Sequence, residues 1–270
     1  MTVVRTIDEL HRARLGVRAG SRVGFVPTMG AWHAGHRALL VAARAECATA
    51  IASIFVNPAQ FDDPGDLSAY PRTEREDEAV AADSGIDLLF VPAADEIYPA
   101  GHATSMALSG AALNFEGARR PGHFNGVALV CLKLFHLVDP DVVYLGQKDA
   151  QQVAVLRQIV RDLNLPMALR VIPTVRDDDG LALSSRNTRL SPADRARAAA
   201  IPRALQAGLA AWRVGQPAAP AARAALAGLE VDYAEVASFD DQPTLVVAVR
   251  LGTTRLIDNV PLNQPAIAGL

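Results

Sequence analysis

Apolar runs of strand length alternate with helical patterns through the first two thirds of this 270-residue chain. That alternation predicts an α/β fold over residues 1–175, a parallel sheet with helices on both faces. Strands joined through helices run parallel, because each crossover returns the chain to the same end of the sheet. Beyond Val175 one long amphipathic segment precedes three strand-like runs, which predicts a smaller α+β domain at 176–270. Half of the residues are apolar, enough for a buried core in a chain of this length.

The elements follow in order. A strand at 23–26, a helix over about 35–48 and a strand at 51–56 make a β-α-β start. A polar loop at 57–72 leads to a charged helix at 73–84 and a strand at 87–91. A buried helix at 126–138, a strand at 141–145, a helix at 150–163 and a strand at 169–175 complete the first domain. In the second, Ser191 and Pro192 form an N-cap and first-turn pair that opens one arginine-bearing helix running to 213. Two prolines make 215–222 a hinge or loop, and 231–236, 244–250 and 254–258 read as strands.

The formal net charge is −3, which argues against a protein built to coat nucleic acid or an anionic membrane. The longest uncharged apolar stretch, 126–132, ends at Lys133 and is far short of a bilayer span. Charges occupy the place of a signal peptide's apolar region, so a cytoplasmic protein is expected. Cys47 and Cys131 lack metal-type spacing and read as buried thiols. Only Lys133 and Lys148 are lysines among 26 basic residues. Where arginine is the default cation, a retained lysine is the more expected to have a chemical role.

Three motifs can carry chemistry. P-T-M-G-A-W-H-A-G-H, residues 27–36, lies where the first predicted strand ends and the first helix begins. His33 and His36, three apart, share one face of a first turn. Unpaired amides and the positive end of the helix dipole favour phosphate there. Gly30 and Gly35 remove side chains where the backbone turns or a nucleotide approaches. A capped helix with incidental histidines and an H-x-x-H metal pair are the alternative readings. G-Q-K-D, residues 146–149, follows another strand: Lys148 offers a point charge and Asp149 offers acceptors for ribose hydroxyls, against the alternative of a solvated surface turn. L-S-S-R-N, residues 183–187, sets two hydroxyls before Arg186, a combination that suits a triphosphate and also occurs in ordinary loops. Asn57 and Gln60 follow the second strand and point toward the same crevice, at the carboxyl ends of the strands. The basic turn at 119–123 reads as a solvated loop. No P-loop, no dinucleotide glycine pattern after a strand, no zinc spacing and no nucleophile elbow occurs.

PTMGAWHAGH, IFVNPAQF, AYPRT, EGARRPGHFNGVA, KLFHLVDPDVVYLGQKDAQQ, DGLALSSRN and RLIDN run in this order from about residue 23 to 260. Together they resemble the pantothenate synthetase (pantoate–β-alanine ligase) family of HIGH-turn nucleotidyltransferases. GQKDAQQ, RPGHFNGVA and LALSSRN in combination are specific to it. The resemblance implies a Rossmann-like N-terminal domain binding nucleotide and pantoate, a C-terminal lid domain and a homodimer. It implies condensation of pantoate with β-alanine at the expense of ATP, through pantoyl adenylate, with magnesium on the triphosphate and no metal ligand assigned on the protein. By motif, Met29, Gly30, Ala31, Trp32, His33, Ala34, Gly35 and His36 form an ATP-binding turn, with His36 the proton donor. Gly146, Gln147, Lys148 and Asp149 contact the nucleotide, and Val175, Leu183, Ser184, Ser185 and Arg186 complete its site. His33, His36, Lys148 and Arg186 are the catalytic set. Gln60 and Gln152, with Asn57, hold pantoate, and Gln60 borders β-alanine. Trp32 stands where leucine is usual in the family, and Ala59 where methionine or threonine is common. Rival readings are another adenylyl- or cytidylyltransferase, a nucleotide-binding regulator without turnover, and an RNA-binding synthetase-like protein. The net charge disfavours the last.

Overall fold

Successive residues of the first sheet enter opposite apolar layers. Phe25, Val143, Leu88 and Phe90 pack on one side, and Val26, Tyr144 and Leu89 on the other. A parallel sheet buried on both faces requires this two-sided apolar pattern. The strands are β1 (Thr2–Val4), β2 (Val23–Thr28), β3 (Thr49–Ile54), β4 (Leu88–Phe90), β5 (Val142–Gly146) and β6 (Ala168–Ile172). Their order is β1-β4-β3-β2-β5-β6, and every pairing is parallel. The helices Ile7–Leu15, His123–Val138 and Ala150–Asp162 supply one layer; Ala34–Glu46 and Glu74–Asp83 supply the other. Because β3 lies on one side of β2 and β5 on the other, the strand order switches at β2, where such sheets open a crevice.

The computed structural model describes residues 1–17, 20–239 and 241–263. The chain forms two compact units, one of residues 1–146 and 151–172, the other of residues 147–150 together with the segment from Pro173 onward. The second unit is built on an antiparallel meander of β7 (Glu230–Phe239), β8 (Gln242–Leu251) and β9 (Thr254–Pro261). Ile201, Ala204, Leu205 and Leu209 of the helix Ala200–Arg213 pack in one core with Leu245, Val247 and Val249 of β8. Residues 264–270 of the α+β segment lie outside the described residues.

Four local features depart from the sequence pattern. β1 and the helix Ile7–Leu15 precede the first predicted strand, and Thr6 and Glu9 close a reciprocal capping box at that helix. Residues 57–72 hold a single 3-10 turn, Pro58–Gln60, and a short helix, Pro64–Ser68. The predicted helix to 213 is two helices, Pro192–Ala198 and Ala200–Arg213. Pro202 has no N–H for the Ala198 carbonyl four residues back, so the hydrogen-bond ladder cannot continue. A helix, Ala218–Ala225, occupies most of the expected hinge. Pro217 is its N-cap and Pro220 lies in its first turn, where a missing N–H removes no helical bond.

Candidate active site

The carboxyl end of β2 turns sharply into the helix Ala34–Glu46. Gly30 has φ +82° and Ala31 φ +54°, so two successive residues adopt the left-handed conformation. Ala31 does so with a Cβ, at a cost of about 1 kcal/mol. Hydrogen bonds hold the strained turn. Thr28 Oγ1 donates to the Ser53 carbonyl (2.7 Å) and accepts from the Gly30 amide (3.1 Å) and the Trp32 indole (2.8 Å). Asp77, 2% exposed, accepts from the Ala31 amide on one oxygen (2.9 Å) and the Trp32 amide on the other (2.8 Å). The Thr73 hydroxyl donates to the same carboxylate. A Cβ at position 30 would stand 3.0 Å from Asp77 Oδ2, so glycine is needed for space as well as for φ.

The two histidines complete the turn. His33 caps the helix, its Nδ1 accepting from the Gly35 amide (3.1 Å), while His36 Nδ1 accepts from the His33 amide (3.3 Å). The rings lie 4.2 Å apart. Both Nδ1 atoms accept, so the hydrogen-bond network assigns the proton of each neutral ring to Nε2. This corrects the expectation of unpaired amides. Those of Gly30, Ala31, Trp32, His33 and Gly35 all bond within the first unit. What the turn brings to an anion is the positive end of the helix dipole.

Asn57 and Gln60 form a second cluster. Asn57 is 1% exposed and caps the turn Pro58–Gln60; its Nδ2 donates to Gln60 Oε1 (2.9 Å) and to the Gly126 carbonyl (3.1 Å). Tyr98 donates its hydroxyl to Asn57 Oδ1 (2.8 Å), and burial pushes that phenol up to about 12, keeping it a donor. The Lys133 ammonium lies over the Tyr98 ring, 5.7 Å from its centre. Gln60 Nε2 reaches Met29 Sδ at 3.2 Å, linking this cluster to the histidine turn. The helix His123–Val138 approaches so closely that a Cβ on Gly126 would meet the Ala59 carbonyl oxygen at 2.1 Å. A cavity of ≈ 250 Å³ opens where β2, β3 and β4 end, lined by Met29, Gly30, Phe55, Val56, Arg72 and Asp77 among others.

The basic turn at 119–123 is solvated only in part: Arg119, Pro121 and Gly122 are exposed as expected, while Arg120 and His123 are half-buried and bonded. His123 Nδ1–H donates to the Gln60 carbonyl (2.8 Å), and Arg120 donates to that carbonyl (3.3 Å) and to Asp62 (3.1 Å). Burial, and after it the Arg120 charge, hold the His123 ring down to about 4, so it remains neutral. Composition pointed to solvent because the partner is a backbone carbonyl, which no side-chain pattern reveals. Asp77 and Tyr98 were likewise missed. Of the adjacent glutamines, Gln151 is buried and spends its amide on the carbonyls of Ala111 and Asn114 and on the Glu116 amide, while Gln152 is half-buried.

In the second unit, the turn Gln147–Asp149 follows Gly146, the last residue of β5. Lys148 Nζ lies 3.6 Å from Asp149 Oδ1. Val175 and Leu183 face each other, the Leu183 amide bonding the Val175 carbonyl (3.0 Å) across the turn at 177–180. Arg195 grips that turn through Asp177 (2.9 Å) and Asp179 (2.6 Å), holding the Asp179 carboxyl below its usual range. Ser184 caps the 3-10 turn Ser185–Arg189, so residues 183–186 run as one connected segment. β9 packs against this turn and against Gln147–Asp149, bringing the Lys148 and Arg186 segments onto one strand.

A parallel sheet with a histidine-capped turn at its switch point defines a nucleotide-handling α/β enzyme of the HIGH-turn class. A family model described as pantoate-beta-alanine ligase matches residues 2–261. The pantothenate synthetase of Cereibacter sphaeroides (strain ATCC 17029 / ATH 2.4.9) is 49% identical over 277 residues, covering 96% of this chain and 99% of that protein. The crystal structure of pantothenate synthetase from Thermus thermophilus superposes with a TM-score of 0.92 at 42% identity, over 97% of this chain and 99% of that one. Pantoate-beta-alanine ligase from Francisella tularensis, complexed with beta-gamma ATP and beta-alanine, has a TM-score of 0.84 at 33% identity, over 98% and 99%. The chain belongs to the pantoate–β-alanine ligase family.

Proposed function

We propose that this chain joins pantoate to β-alanine in two steps on its own residues. The pantoate carboxylate attacks the α-phosphorus of ATP, giving pantoyl adenylate and pyrophosphate; the amine of β-alanine then attacks the acyl carbon, and AMP leaves with the bonding electrons. The first step sets an anion against an anionic phosphorus, so the site must neutralise the phosphates and hold the reactants in line. The observation that carries this reading is the histidine pair at the β2 switch point, whose Nδ1 atoms are spent on backbone amides. Their Nε2–H groups donate hydrogen bonds to phosphate oxygens; with Nδ1 accepting from the His33 amide, the neutral His36 ring keeps its proton and offsets charge on the departing pyrophosphate as a hydrogen-bond donor.

Lys148 and Arg186 supply the fixed positive charge on the phosphates, Ser184 and Ser185 donate hydroxyls, and Asp149 accepts from the ribose. Val175, Leu183 and the backbone from Met29 to His36 border the nucleotide. Gln60, oriented by Asn57, and Gln152 hold pantoate. Magnesium enters on the triphosphate; among the described residues no three imidazole, thiol or carboxylate groups gather as a metal cage. The mixed anhydride must be kept from water, and we assign that task to the second unit as a lid. The enzyme works as a cytoplasmic homodimer; among the described residues no helix is long and apolar enough to cross a membrane.

The test is pantoate-dependent exchange of labelled pyrophosphate into ATP, with magnesium and without β-alanine. Exchange is the expected result. Folded protein that binds ATP yet exchanges no label with pantoate overturns the reading.

A further inference from the structure

The R-L-I-D-N segment at the end of β9 has no part in the chemistry above, yet its last residue touches the turn that carries Lys148. Asn259 is 4% exposed. Its Nδ2 donates to the carbonyls of Gln147 (3.0 Å) and Lys148 (2.8 Å), and its Oδ1 accepts from Gln147 Nε2 (3.1 Å). Every polar position of this side chain apart from one acceptor lone pair is therefore spent on two consecutive residues of one turn. A further pair holds Asn259 itself. Arg176 and Asp258, whose side chains are 3% and 1% exposed, meet through two hydrogen bonds of 2.6 and 3.1 Å, and Asp258 Oδ1 also accepts from the Asn259 amide (2.8 Å).

We infer that Asn259 is a positioning residue for Lys148. It fixes the carbonyls of residues 147 and 148, and so the direction in which the lysine side chain leaves the turn. The inference rests on the proposed role of Lys148 at the nucleotide phosphates and adds what aims it. A 3-10 turn of three residues has little cooperative stability of its own, so an outside clamp is needed to hold a single geometry. A side-chain amide suits this task, because it donates twice and accepts once in one plane.

The experiment is a double-mutant comparison in pyrophosphate exchange, using Asn259→Ala, Lys148→Ala and the two combined. Asn259→Ala is expected to slow exchange about tenfold by releasing the two carbonyls. In the Lys148→Ala background the same change is expected to cost less than about twofold, because the group it aims is gone. Asn259→Asp keeps the size, loses both donors and sets a carboxylate against two carbonyls. It is expected to slow exchange at least as much, and it serves if the alanine variant does not fold. Full exchange in either folded Asn259 variant overturns the inference. So does a cost that is equal in the presence and absence of Lys148, which marks a residue that supports the fold alone. Intact exchange in Lys148→Ala instead overturns the lysine's own role, which separates that failure from this one.

Discussion

The histidine turn follows β2 in the chain and the lysine turn follows β5, yet they are held in opposite ways. The first is closed mostly from within: Thr28 bonds Gly30, His33 bonds Gly35, and His36 bonds His33, all across two or three residues. Asp77, some 45 residues on, adds two amide bonds to the turn. The second has one local contact, Lys148 with Asp149, and its clamp arrives from 111 residues away. A locally closed turn leaves a dense motif in a short window of sequence. A remotely clamped turn leaves only the residues it presents.

The sharpest way to break this comparison is Lys148→Ala. If the remote clamp exists to present one charge, the variant loses about 10²–10³ in pyrophosphate exchange, roughly 3–4 kcal/mol, with an unchanged urea midpoint. Exchange within threefold of the parent protein ends that account. Next comes acid. His123, clamped onto the Gln60 carbonyl, has its pKa lowered from 6.5 to about 4, so between those values the unfolded chain binds the extra proton. The stabilisation is complete above pH 6.5 and is lost as pH falls toward 4, amounting to up to about 3 kcal/mol. Urea unfolding at pH 7.5 and 4.5 should show this loss and show it reduced in His123→Gln; equal losses in both proteins refute it. Asp77→Asn tests the long-range tie of the histidine turn. Either orientation of the amide sets an NH₂ group against a backbone N–H, so the stability read from urea unfolding should fall by about 1–3 kcal/mol. His33→Ala removes the local cap on the Gly35 amide and should cost about 1 kcal/mol of stability; a larger loss would mean that the turn depends on more than this cap.

The same distinction explains what could be read without the structure. Strands β2 to β5 were legible because each is an apolar run between helical patterns with residues buried in both layers, and the edge strand β6 was legible as an apolar run although its residues are exposed or half-buried. β1 is only three residues at the sheet edge, too short for any periodicity. The Thr6–Glu9 capping box was a readable signal for the first helix, one that lies among charges. Met29 to His36, Asn57 and Gln60 were legible from position, since they follow strand ends. His123, Arg120 and Asp77 were not, because each acts on a backbone group distant in sequence, and backbone groups are the same at every residue. The helix Ala218–Ala225 was misread for another reason: proline breaks a helix interior but is tolerated in a first turn, and only the register tells the two apart.

The clamp on Lys148 also sets an order of assembly. A ribosome delivers the chain from its N-terminus, and the six parallel strands can pair once residue 172 has emerged. By then Lys148 has been synthesised, but Asn259 has not. The lysine turn gains its fixed shape only when β9 pairs with β8 and carries Asn259 to the Gln147 and Lys148 carbonyls. A growing chain therefore holds its lysine for more than a hundred residues of synthesis before the lysine is aimed, and termination between residue 172 and β9 leaves a folded sheet with an undirected charge.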